Sequence, residues 1–108
     1  MFCDLVGSTA LAARLDPEDL RDVLTAYQTH ATDLIKAAGG TIARYQGDGI
    51  LAYFGYPAAG EDDAERAISA GLELARGIEK GGKVPEKLSV RVGIASGVVL
   101  VGDLLRSH

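Results

Sequence analysis

An α+β sandwich, with helices packed on one face of a mainly antiparallel sheet, is the fold class this sequence predicts. Three observations carry that expectation. Residues 17–38 and 61–78 repeat apolar side chains at the three- and four-residue spacing of an amphipathic helix. Residues 1–6, 41–46, 50–55 and 88–95 have the length and patterning of strands. Glycine-bearing breaks separate these stretches at Gly39-Gly40, Gly47-Asp48-Gly49 and Gly81-Gly82.

Taken in order, Met1 to Val6 reads as the first strand, followed by a Gly7-Ser8-Thr9 turn. Ser8 or Thr9 is expected to cap a short helical turn from Ala10 to Leu15. Asp16-Pro17-Glu18-Asp19 is a strong helix start, with a capping acid, a proline in the first turn and further acids at the positive end of the dipole. Leu20, Val23, Leu24, Tyr27, Ala31, Leu34, Ile35 and Ala38 then form one stripe, and Gly39-Gly40 stops the helix. Thr41–Gln46 and Ile50–Gly55 are the arms of a hairpin around Gly47-Asp48-Gly49, because Asp-Gly tolerates the positive φ of tight turns. After a loop at Tyr56–Gly60, Glu61-Asp62-Asp63 opens a second helix whose expected apolar face is Ala64, Ala67, Ile68, Gly71, Leu72, Ala75 and Ile78. Gly77 and Gly81-Gly82-Lys83-Val84-Pro85 end it. Leu88–Ala95 alternates as a strand, and Ser96-Gly97 turns it back into Val98–Val101. The order strand, helix, strand, strand, helix, strand is the βαββαβ arrangement of a ferredoxin-like sandwich.

The 108 residues, 47% of them hydrophobic, suit one domain with a single core. A net charge of -4 argues against a nucleic-acid or anionic-membrane surface, either of which needs a basic patch. No apolar run approaches the ~18 residues that span a bilayer. Cys3 is the one cysteine, so no internal disulfide forms and a reducing, cytoplasmic compartment is expected. Both ends look clipped, since the first strand starts at Met1 and little follows Val101.

Asp4 and Asp48 are the residues that most demand a chemical reading. Asp4 lies inside a hydrophobic run, where an unpaired carboxylate is costly. Asp48 sits at the hairpin tip beside glycine. Two carboxylates brought together beside a glycine-containing turn make a site for hard cations and phosphate oxygens. Other acids have a plainer role: Glu61, Asp62, Asp63 and Glu65 complement a helix dipole and stay solvated. Cys3 points to the opposite side of its strand from Asp4 and belongs to the core.

Phe2-Cys3-Asp4-Leu5-Val6-Gly7-Ser8-Thr9 and Gln46-Gly47-Asp48-Gly49 together resemble the catalytic domain of class III adenylate and guanylate cyclases. The likeness continues through Leu51-Ala52-Tyr53-Phe54-Gly55-Tyr56-Pro57, Glu61-Asp62-Asp63-Ala64-Glu65-Arg66-Ala67 and Arg91-Val92-Gly93-Ile94-Ala95-Ser96-Gly97, in family order over essentially the whole chain. The resemblance implies an incomplete nucleotide cyclase fold of the palm type, residues 1–108 being the N-terminal and central portion of the catalytic domain. It implies conversion of ATP, with GTP as the second candidate, to a 3′,5′-cyclic monophosphate and pyrophosphate in intracellular signalling. It implies two divalent metal ions, Mg²⁺ or Mn²⁺, held by Asp4 and Asp48 with the backbone carbonyl of Leu5. Amides of Val6, Gly7, Ser8 and Thr9 would then hold the β- and γ-phosphates. Gly7, Gly47 and Gly49 would each combine turn formation with close approach of the phosphates.

Arg44 stands where many adenylate cyclases carry a lysine that contacts the adenine edge, and a planar guanidinium is not a neutral replacement for an ammonium. Val98 occupies a position where some relatives place a phosphate-binding arginine. In the resemblance, a second purine-contacting acid and an asparagine–arginine pair come from the partner of a head-to-tail homodimer, and no counterpart to them is found in these residues. The chain alone is therefore expected to be nearly or wholly inactive. The alternative reading is a non-catalytic cyclase-fold module that binds nucleotide or a partner domain. A different palm-type enzyme, a diguanylate cyclase or polymerase-like domain, ranks last, because the glycine-glycine-acid-acid hairpin of a diguanylate cyclase is replaced here by Gln46-Gly47-Asp48-Gly49.

Overall fold

The structure is a computed structural model that describes residues 1–76 and 88–98. Its elements run β1 (Phe2–Val6), α1 (Ser8–Arg14), α2 (Pro17–Ala37), β2 (Thr41–Gln46), β3 (Gly49–Tyr53), α3 (Asp63–Ala75) and β4 (Ser89–Gly93). The strands lie in the order β2-β3-β1-β4, and each adjacent pair is antiparallel. With α2 and α3 as its two long helices this is the expected α+β arrangement. The helix end at Gly77 and Ile78, the loop at residues 81–85 and the strand residues Val99–Val101 fall outside the described residues. Val98 is described, fully exposed and not in a strand.

Alternation along the strands divides the sheet into two unlike faces. Cys3 and Leu5 of β1, Ile50 and Ala52 of β3, and Val90 of β4 are buried in one cluster with Val23, Tyr27, Ala31 and Ile35 of α2 and Leu74 of α3. Cys3 is thus a core residue, and the buried Tyr27 hydroxyl donates to its sulfur at 3.6 Å. Phe2, Asp4 and Val6 point the other way, and Val6 is half exposed.

α2 begins and packs as its sequence requires. The Asp16 side chain accepts from the Asp19 amide at 2.9 Å, Pro17 is the first helical residue, and the buried positions Val23, Tyr27, Ala31 and Ile35 follow the helical repeat. Gly39, at φ +89, ends it, and the Gly40 amide donates back to the Ile35 carbonyl at 2.9 Å.

Three local expectations are corrected. Neither Ser8 nor Thr9 caps α1: both lie within its first turn, the cap position is Gly7 at φ +78, and no side chain caps the helix. A sharp reversal straight out of β1 needs a left-handed residue, which glycine supplies without steric penalty. At the hairpin, Gly47 takes the positive φ (+59) and no non-glycine residue does, so Gly47-Asp48 is a two-residue loop closed by Gln46 and Gly49. Glycine at the first of two loop positions is the requirement of a type II′ turn. Gly49 serves packing instead: a Cβ there would lie 2.6 Å from Cζ of Phe2. Finally, α3 is rotated from its expected face. Ala67, Ala70, Gly71 and Leu74 are buried, whereas Ile68 and Leu72 are half exposed. The close fit of Gly71 against Val92 and Ile94 holds the helix on its small-residue side.

Candidate functional site

The face of the sheet turned away from the helices carries the predicted site residues. In β1 and β3, Phe2 faces Leu51 and Cys3 faces Ile50. The paired stretch ends there, with Asp4 the next residue along β1 and Gly49, then Asp48 of the turn, the next along the hairpin. The hairpin tip therefore reaches the C-terminal end of β1, where Gly7 turns the chain into α1. Asp4, Asp48, Leu5, Val6 and the Gly7-Ser8-Thr9 entrance to α1 share one corner of the molecule.

The two carboxylates act on the same neighbours. Arg91 of β4 stands directly opposite Asp4, its Nε donating to Oδ1 at 3.2 Å and its Nη2 to Oδ2 at 3.4 Å. These hydrogen bonds, then the charge of Asp4 and after it that of Asp48, hold the Arg91 guanidinium in its charged form more firmly than usual. Burial first, and then the Cys3 thiol, push the Tyr27 phenol up; Asp48 and Asp4 add to that push from above the core. Asp4 is partly covered, with 22% of its side chain exposed, and Asp48 is likewise intermediate.

Asp4 is thus neither buried nor unpaired, although its apolar sequence surroundings suggested a costly charge. Its neighbours Cys3 and Leu5 point into the core, while Asp4 emerges on the open face and meets Arg91. Sequence reasoning passed over Arg91. The alternation of Leu88, Val90 and Val92 marks it as outward-facing, but only the pairing of β1 with β4 identifies its partner.

The supports of this corner come from α2. The Gln28 side chain donates to the Gly47 carbonyl at 3.4 Å, and Thr32 and Tyr45 share a 2.9 Å hydroxyl contact. A Cβ at Gly7 or Gly47 would meet nothing within 4 Å, so the space over both is open. The first amides of α1 have no intrahelical acceptor by helix geometry and no side-chain cap. Arg44 is exposed on β2 opposite Leu51, on the same face as Asp4.

Two carboxylates on one open corner, beside uncapped amides, are a donor set suited to a hard cation that retains water and phosphate oxygens. Among the described residues no group of three or more His, Cys, Asp or Glu side chains gathers into a cluster. Asp62 and Asp63 are instead occupied: both pair with Arg66, which also donates to the Ala38 carbonyl at the end of α2 (3.1 Å), and Asp63 accepts from the Gly60 amide.

An apolar cavity of about 790 Å³ is lined among others by Phe2, Leu51, Tyr53, Tyr56 and Ile94; neither Asp4 nor Asp48 lines it. No helix among the described residues is long and apolar enough to cross a membrane.

Known proteins share this fold. The family described as adenylate and guanylate cyclase catalytic domain matches residues 1–107. An adenylate cyclase of Streptomyces coelicolor is 38% identical over 105 residues, which cover 95% of this chain and 25% of that protein. The crystal structure of the guanylyl cyclase Cya2 superposes with a TM-score of 0.64 at 41% identity, covering 69% of this chain and 38% of that one. The catalytic core of a rhodopsin-guanylyl cyclase with converted specificity, solved with ATPαS, shares the fold at a TM-score of 0.73, with 24% identity over 98% of this chain and 64% of that one. The chain spans a quarter or less of the length of the curated relatives it matches.

Proposed function

We propose a function on one premise: this chain belongs to the adenylate and guanylate cyclase catalytic domain family. The protein that contains it converts ATP, or as second candidate GTP, to the 3′,5′-cyclic monophosphate and pyrophosphate in the cytoplasm. The observation that carries this reading is the meeting of Asp4, the Asp48 turn and the uncapped start of α1 at one corner of the open sheet face.

Asp4 and Asp48, with the Leu5 carbonyl, are the residues that would hold two divalent cations, Mg²⁺ or Mn²⁺. Such ions supply activation of the ribose 3′-hydroxyl and neutralisation of charge on the departing pyrophosphate. The chain's own residues position the substrate. Amides of Val6, Gly7, Ser8 and Thr9 receive β- and γ-phosphate oxygens, helped by the positive end of α1. Gly7 and Gly47 leave the space above them clear for that approach. Arg44, on the same face of β2, offers its planar donors to the purine edge.

A second subunit completes the site. The 108 residues contain no asparagine, so the asparagine that the family resemblance assigns to transition-state stabilisation comes from outside them. A head-to-tail homodimer of the whole protein, packed across the open face, supplies it. Without such stabilisation a loss of about 10²-fold or more per donor is expected. The same absence favours a second reading for the chain by itself, nucleotide binding without turnover.

The experiment is a cyclic nucleotide assay on the protein expressed from its full reading frame, with Mn²⁺ or Mg²⁺ and either ATP or GTP. Cyclic product is expected, falling about a hundredfold or more in Asp4→Ala and in Asp48→Ala. Product formation that both substitutions leave untouched contradicts the assignment of the site. Metal-dependent nucleotide binding with no product from any preparation establishes the second reading.

A further inference from the structure

We propose that Arg91 is the counter-charge that a divalent cation must displace from Asp4, and that it thereby sets the cation concentration at which the site fills. The inference rests on the reading of Asp4 as a metal ligand given above.

The geometry is that of a competitor. Arg91 and Asp4 are directly opposed on adjacent strands and share the open face. The guanidinium engages both carboxylate oxygens, Oδ1 at 3.2 Å and Oδ2 at 3.4 Å, so neither is left clear of it. The charge of Asp48 acts on the same guanidinium. Its contacts are with Asp4, and Asp48 acts on it through space.

The partners are unequal in how firmly they are held. Asp4 has a short side chain and is 22% exposed, whereas Arg91 has a long flexible stem and is 70% exposed. When a cation arrives, the carboxylate stays and the arginine swings into solvent. Charge gives the reason that it must. A unit positive charge about 5 Å from a dication, even in a water-like dielectric, disfavours binding by about tenfold. The pair contributes little to the fold, because exposed ion pairs between side chains seldom do. Arg91 is thus a positioning residue: it keeps the Asp4 carboxylate oriented while the site waits, and makes filling depend on cation supply.

Free Mn²⁺ measured by its electron paramagnetic resonance signal, during titration of the chain without nucleotide, tests this. Arg91→Gln is expected to bind Mn²⁺ about fivefold more tightly than the unmodified chain, the cost of breaking an exposed ion pair. Arg91→Lys, which keeps the charge but loses the fork, falls between them. Asp4→Asn abolishes binding. In the unmodified chain the Arg91 Nε–H nuclear magnetic resonance signal shifts as Mg²⁺ saturates the site. Affinity in Arg91→Gln that is weaker, or equal within about twofold, overturns the proposal while leaving the metal reading intact, provided Asp4→Asn has lost binding. If Asp4→Asn binds as the unmodified chain does, or if no protein in the series binds Mn²⁺, the metal reading fails and this inference with it. Should Arg91→Gln lack native circular dichroism, the Nε–H signal decides, and a signal unmoved through saturation overturns the proposal.

Discussion

Asp4 shows how a single residue is misjudged from its neighbours in sequence. Flanked by Cys3 and Leu5 it reads as a charge in an apolar strand, yet period-two alternation carries it out to the open face and Arg91. Gly49 is the opposite case. In sequence it is one more turn residue, and in the fold it makes room for the Phe2 ring. Gly49→Ala is therefore expected to destabilise the protein by about 1–3 kcal/mol in urea unfolding, as overpacking does. Phe2→Ala in the same chain should remove most of that extra cost, since the two positions are in contact. Cys3 supplies a pH prediction. Burial, more than any other influence, pushes its thiol above the ordinary value of 9.0, so the folded state holds a proton that the unfolded chain releases. Stability from this source is fully present below pH 9.0 and declines as pH rises beyond it. Tyr27 acts in the same direction above its ordinary 10.0. Urea midpoints should fall as pH rises above 9.0, and Cys3→Ala should move the onset of the fall upward.

At the scale of elements, legibility followed how many independent signals agreed. α2 carries a capping acid, a first-turn proline and one apolar stripe, and each is found in place. α3 offers apolar residues on two adjacent stripes. Periodicity finds the helix but does not choose between a face of Ile68 and Leu72 and a face of Ala67, Ala70, Gly71 and Leu74. Closeness of approach decides it, through Gly71 against β4, and that belongs to tertiary packing. The consequence is measurable. Leu74→Ala should cost about 2–5 kcal/mol, as a buried leucine does. Leu72→Ala, on the exposed side, should stay within about 0.5 kcal/mol. Equal costs would return the helix to its sequence-expected face. The start of α1 was hidden for a different reason: Ser8 and Thr9 are good caps by residue type, but the chain reversal after β1 gives the cap position to Gly7.

For the whole molecule, the order of elements leads to a ferredoxin-like sandwich, and the sheet order β2-β3-β1-β4 with the long helices on one face agrees with it. That topology brings two sequence-distant aspartates towards the corner where α1 begins, on a face of the sheet that the helices leave open. The sequence marks the aspartates and the glycines. Their counter-charge stayed hidden, because Arg91 is 87 residues from Asp4 along the chain. The central claim, that Asp4 and Asp48 make a cation-dependent triphosphate site, is tested most directly by calorimetric titration of the chain with a non-hydrolysable ATP analogue. Binding is expected in Mn²⁺, lost on chelation, and weakened at least about tenfold in both Asp4→Ala and Asp48→Ala. Binding of the same strength in chelator, or in both variants, contradicts the account.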